Sequence, residues 1–125
     1  MTRLALAASL ALVLVTAVSS PALADPPLAP ERSVTCKPAQ AAIYPGSRVH
    51  VMCDKPWKNP STGAKASYFA VAASDPAAAM VLEVADTAIG HGKKVLIWFR
   101  TDSSDNPPGC GTADCRKLTG ITVLD

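Results

Sequence analysis

The side chains in this sequence with chemistry to offer are four cysteines, two histidines and a scatter of carboxylates. Cys36, Cys53, Cys110 and Cys115 are able to form disulfides, to hold zinc or to act as thiol nucleophiles. Zinc favours two close pairs; Cys110 and Cys115 are loosely spaced for one, and Cys36 and Cys53 are far apart. His50 alternates with Val49 and Val51, so it is expected to point outward as an ordinary exposed residue. His91, between Gly90 and Gly92, is expected to cap helix carbonyls. Glu83 and Asp86 fall on the polar side of a helical pattern, where solvation is the expectation. Asp102-Ser103-Ser104-Asp105-Asn106 has a trace of a calcium loop but lacks its spacing, its central glycine and its terminal glutamate. The sequence contains no Gly-x-Ser-x-Gly elbow, no His-Glu-x-x-His and no phosphate-cradling loop. A non-catalytic chain is therefore expected, with no metal and no cofactor.

Binding groups are better represented. Trp57, Tyr68 and Trp98 are candidate aromatic anchors, with Arg48, His50 and Arg100 as polar partners. Trp98 and Arg100 share the strand face opposite Val95, Ile97 and Phe99. For Trp98 the plainer expectation is packing beneath a helix or loop, and for Trp57 a lid over one end of the fold.

The chain opens with an address. Arg3 precedes an apolar run from Leu4 to Val18, Ser19-Ser20-Pro21 breaks it, and Ala22-Leu23-Ala24 supplies the small-x-small pattern of a cleavage site. Residues 1–24 are thus expected to be a cleaved secretory signal; the run is short for a membrane span. Bacterial export to the periplasm or medium follows, with no stable membrane insertion after cleavage. Export places the cysteines in an oxidising compartment, where an even count predicts disulfides. Of the three pairings we expect the local one, Cys36–Cys53 with Cys110–Cys115. Cleavage removes Arg3 and leaves a nearly balanced charge, so nucleic acid is not an expected partner.

The remaining hundred or so residues suit one small domain. Residues 25–32 form a Pro-rich leader, and residues 33–125 the globular part. Tyr44-Pro45-Gly46-Ser47 marks a hairpin turn. With Pro45-Gly46 at its centre, Cys36 falls opposite Lys55, diagonal to Cys53; a bulge near Pro38 would bring the cysteines level. Ser67 to Ala73 and Val95 to Arg100 read as strands. Asp75-Pro76 opens an amphipathic helix with Met80, Val81, Leu82, Val84, Ala85, Ala88 and Ile89 on its apolar arc, and Gly90-His91-Gly92 ends it. Asp102 to Arg116 is a polar loop, and Leu118 to Leu124 a last strand with a bend or bulge at Gly120. The expected class is α+β, mainly β. In detail it is a five-stranded antiparallel OB-fold-like barrel, with one helix between strands 3 and 4 and two disulfides.

Tyr68-Phe69-Ala70-Val71-Ala72-Ala73-Ser74-Asp75, the Ala-rich helix, Gly92-Lys93-Lys94-Val95-Leu96-Ile97-Trp98 and the two-cysteine loop from Gly109 to Arg116 resemble the B subunit of subtilase-cytotoxin-type toxins and its stand-alone relatives. The resemblance implies an OB-fold, assembly of identical copies into a pentameric ring, and binding of sialylated or other glycans without catalysis. It assigns no sugar-contacting residue here. The expected function is an exported binding domain for a glycan or an extracytoplasmic protein. The competing expectations are a secreted inhibitor of a protease or lysozyme, acting through residues 102–116, and a small hydrolase, which His50 near a carboxylate in a deep cleft would favour.

Overall fold

The computed structural model describes residues 31–125. The export signal, with Ala22 and Ala24, and the leader up to residue 30 lie outside the described residues. The order is β1 (Glu31–Cys36), β2 (Pro38–Tyr44), β3 (Arg48–Lys58), β4 (Lys65–Ala72), α1 (Ala78–Gly90), β5 (Lys94–Arg100) and β6 (Cys115–Leu124). Glu31 and Arg32, read as leader, are therefore strand. The described residues are mainly β with one α-helix and two disulfides, Cys36–Cys53 and Cys110–Cys115, as expected.

The finer expectation needs correcting. The sheet has six strands in the order β1-β5-β6-β4-β3-β2, not five. It is mixed, because β4 and β6 run parallel through Tyr68, Phe69 and Ala70 against Cys115, Arg116 and Lys117. It is also open, with no ladder joining β1 to β2. The extra strand arises at Lys37, where the expected first strand breaks in two. The residue after the break is Pro38, which has no N–H to give to a ladder. The two ends of the sheet order are nevertheless consecutive in sequence, and the Cys36–Cys53 bridge ties β1 to β3 with 5.6 Å between Cα atoms.

The hairpin register also shifts. The turn takes three residues, Pro45 to Ser47, so Tyr44 pairs with Arg48 and Ala42 with His50. Gly46 adopts φ +72°, a left-handed conformation natural to glycine. A bulge between Pro38 and Gln40 sets Pro38 opposite Cys53. The bulge falls where it was expected, but Cys36 belongs to β1 and not to this hairpin.

One face of the sheet carries the core. Phe69, Phe99, Ile97, Val49, Val51 and Val95 are fully buried, each large side chain contributing ~1.5–3 kcal/mol on burial. Helix α1 adds Val81, Ala85 and Ala88. It starts later than Asp75-Pro76 implied: the Asp75 carboxylate accepts the Ala77 N–H at 2.8 Å, ahead of a helix that begins at Ala78. Its buried stripe is narrower than the apolar arc, since Met80 is 67% exposed and Ile89 38%. Gly92, with φ +63°, closes it: the Lys93 N–H donates to the Ala88 carbonyl. In β6 the register slips beside Gly120, as the sequence suggested. The indole of Trp98 fills the space a Cβ at Gly120 would take.

Candidate functional site

Strand alternation turns Arg48, His50 and Met52 away from the core that Val49, Val51 and Cys53 enter. The cross-strand partners of His50 are Ala42 on β2 and Ala70 on β4. Two alanines beside an imidazole leave a depression in this outer face. Taller residues wall it: Tyr44 beside Arg48 on β2, and Tyr68 beside Met52 on β4.

The loop between β5 and β6 folds over this face. Ala70, Cys110 and Cys115 form a second, small buried cluster with Tyr68 against it. The loop is held at many points. Arg116 is buried and donates to the carbonyls of Thr101 (3.1 Å), Thr112 (2.7 Å) and Cys115 (2.6 Å). Asn106 Nδ2 donates to the carbonyls of Cys110 and Cys115, bracketing the disulfide. Ser47 Oγ donates to the Pro108 carbonyl at 2.8 Å, fastening the loop to the β2–β3 turn. The main-chain oxygen of Asp114 accepts the N–H groups of Ser67 and Tyr68, and its Oδ1 also accepts the Ser67 N–H at 2.8 Å. Asp102, read as a faint cation ligand, instead accepts the Ser104 N–H at 2.9 Å; that bond holds its carboxyl below the usual carboxylate range.

Between strands and loop lies a cleft of about 340 Å³, lined by Gln40, Tyr44, Arg48, His50, Tyr68, Gly109, Gly111, Ala113, Asp114 and Cys115. The His50 ring sits between two phenols, its centroid 5.2 Å from that of Tyr44 and 5.1 Å from that of Tyr68. The Arg48 guanidinium lies 4.5 Å above the Tyr44 ring, a cation–π contact. Gly109, at φ +77°, brings bare backbone against that guanidinium; any Cβ there would collide with it. His50 is only 4% exposed, which corrects the expectation of an exposed histidine. Loss of hydration lowers its pKa from 6.5, and the nearby Arg48 charge lowers it further. It is thus neutral at pH 7.

A second groove of about 450 Å³ lies between α1 and β6, lined largely by Val71, Met80, Val81, Val84, Leu118 and Ile121. The first cleft is the stronger candidate because aromatic faces and several polar groups converge in it.

The structure brings three of the sequence-predicted binding residues together, Arg48, His50 and Tyr68. The other three lie elsewhere. Trp57 packs edge-on against Phe99 at 4.9 Å, joining the core as a partly buried neighbour. Trp98 packs over Gly120. Arg100 lies on β5, outside the cleft lining. Sequence reasoning missed Gln40, Tyr44 and Asp114. Tyr44 had a readable signal: a turn residue facing Arg48 across a hairpin is a natural cation–π pair. Comparison of the chain with protein-family models, with curated proteins and with solved structures finds no match.

Proposed function

We propose that this chain is an exported binding domain that takes a glycan in the cleft between β2, β3, β4 and the bridged loop, and performs no catalysis there. One observation carries the reading: two phenol rings and an imidazole flank a rigid cleft whose wall also offers an arginine, an amide and a carboxylate. Sugars are recognised in that way, with apolar ring faces on aromatics and hydroxyls on planar polar groups. A small mainly β fold also agrees with the likeness to toxin B subunits. If β1 and β2 count as one strand bent at Lys37, the strand order becomes that of an OB-fold, whose outer sheet face and neighbouring loops are a recurrent ligand site. The two disulfides, and the lack of any described helix long and apolar enough to cross a membrane, are compatible with an extracytoplasmic location. A ring of identical copies belongs to the same proposal.

A glycan array probed with the full chain, followed by calorimetry on any hit, tests this. Binding that Tyr68→Ala abolishes while Trp98→Phe leaves it intact is the expected result. An array with no hits would remove the glycan reading.

The second reading, a secreted inhibitor, is favoured by the rigidity of the loop. Arg116, Asn106 and the Cys110–Cys115 bridge fix residues 102–116 before any partner arrives, which lowers the ordering cost of docking. One stoichiometric enzyme partner, captured without any sugar dependence, would establish it.

A further inference from the structure

The groove between α1 and β6 is floored by apolar side chains and left open. Val71, Val81 and Leu118 are buried within its lining, while Met80, on the helix beside them, is 67% exposed. Gly120 adds no side chain to fill it. Apart from Asp75 and Lys117 the lining carries no charge, and one Asp75 carboxylate oxygen is already taken by the Ala77 N–H. An adaptable thioether standing in water over a floor of this kind marks a contact surface that the described residues do not complete.

The described chain begins at the edge of this groove. Glu31 is its first residue, and the Glu31 carboxylate accepts the hydroxyl of Thr119, which lines the groove. Whatever precedes Glu31 therefore starts one side-chain contact from the opening. The six preceding residues read Asp25-Pro26-Pro27-Leu28-Ala29-Pro30. Fully extended they reach about 20 Å, and the helix wall from Ala77 to Val84 is about 10 Å long. We propose that residues 25–30 of the same chain are the occupant of the α1–β6 groove, with Leu28 seated against Met80 and Val84.

Composition suits the segment to the seat. Pro26 to Pro30 carry no charge, which matches the floor, and Leu28 is their one large aliphatic side chain. Three prolines fix their own φ angles before docking, so less chain entropy is lost on it. Tethering decides between this segment and a second copy of the chain. A short linker holds the segment at an effective concentration in the millimolar range, whereas a second copy must be recruited from solution. The docked segment shields Met80 and closes the groove, leaving the cleft at His50 as the open site. The proposal is independent of which ligand that cleft takes.

Two readouts on the full exported chain test it. In an isotope-labelled sample, nuclear Overhauser contacts are expected from the Leu28 methyls to Met80 and Val84. Oxidation by peroxide, followed residue by residue by mass spectrometry, is expected to convert Met80 at least about threefold faster in Leu28→Asp than in the native chain. Met52, turned away from the core on β3, serves as the reference for general unfolding and should oxidise at an unchanged rate. Leu28→Ile should keep the native Met80 rate. Absence of the contacts, with Met80 oxidised equally fast in the native chain and in Leu28→Asp, overturns the proposal. Contacts that appear only between labelled and unlabelled chains in a mixed sample also overturn it, because the occupant is then a second copy.

Discussion

The imidazole of His50 on β3 lies 5.1 Å from the phenol of Tyr68 on β4, although the two are not direct cross-strand partners. His50 faces Ala70, and Tyr68 faces Met52. The contact is therefore diagonal and exists because Ala70 is too small to fill the space between. The same small residue receives the Cys110–Cys115 bridge. One alanine thus makes room for the aromatic wall and for the loop that closes it.

Buried and neutral, His50 makes stability depend on pH. Its folded pKa is below the unfolded value of 6.5, so the unfolded chain binds more protons in the window beneath. The contribution is fully present above pH 6.5 and is lost as pH falls through the lowered folded pKa. Urea unfolding of the native chain and of His50→Phe, compared between about pH 7.5 and about pH 4.5, is expected to show a smaller pH-dependent loss in the variant. Equal losses would remove His50 as the cause.

Gly109 meets two constraints at once, a positive φ and the Arg48 guanidinium against its backbone. Gly109→Ala is expected to cost about 1–3 kcal/mol and to push Arg48 off Tyr44. Thermal unfolding reads the first effect, and the Arg48 side-chain NMR signals the second. A variant with native stability and unmoved Arg48 signals would contradict the placement of the loop.

The two disulfides should separate in effect. Cys36–Cys53 closes the longer stretch, 17 residues apart in sequence against 5 for Cys110–Cys115. The chain-entropy model gives ~3 kcal/mol for the former and ~2 kcal/mol for the latter. Replacing Cys110 and Cys115 by serine should therefore leave a folded domain whose residues 102–114 exchange their amide hydrogens faster. Replacing Cys36 and Cys53 should lower the unfolding midpoint more and leave that loop protected.

Arg116 supplies a further check on the loop. Arg116→Met strands three carbonyls that now accept from one guanidinium, at an expected cost of about 2–3 kcal/mol. The loss should appear as early local opening of the loop in hydrogen exchange, ahead of global unfolding.

Local pattern made much of this legible. Val95 to Arg100 alternates cleanly and is a strand; Pro45-Gly46 turns; Gly92 ends the helix. Disulfide formation followed from count and compartment, and the local pairing, one of three possible, is the one formed. What stayed hidden depends on contacts distant in sequence. The break at Lys37 follows from the chain crossing between the two ends of the sheet order, and the parallel pairing of β4 with β6 depends on the whole sheet order. The register missed by one residue because three residues, not two, make the turn. His50 reads as exposed from its own strand, but Tyr44 and Tyr68 on the flanking strands and a loop some sixty residues later close around it. Half of the expected binding set lies outside the cleft, in part for a related reason: an outward aromatic such as Trp98 finds a glycine to cover, which no periodicity announces.

Entry of ligand between Tyr44, His50, Tyr68 and the bridged loop is read residue by residue by NMR. Amide and aromatic signals of the full chain would be followed during titration with a saccharide hit. Shifts are expected to cluster at Gln40, Tyr44, Arg48, His50, Tyr68 and residues 109–115, with the Trp57 and Trp98 indoles unmoved. Shifts centred on Trp98 and Arg100, or on the α1–β6 groove, with those residues silent, would contradict it.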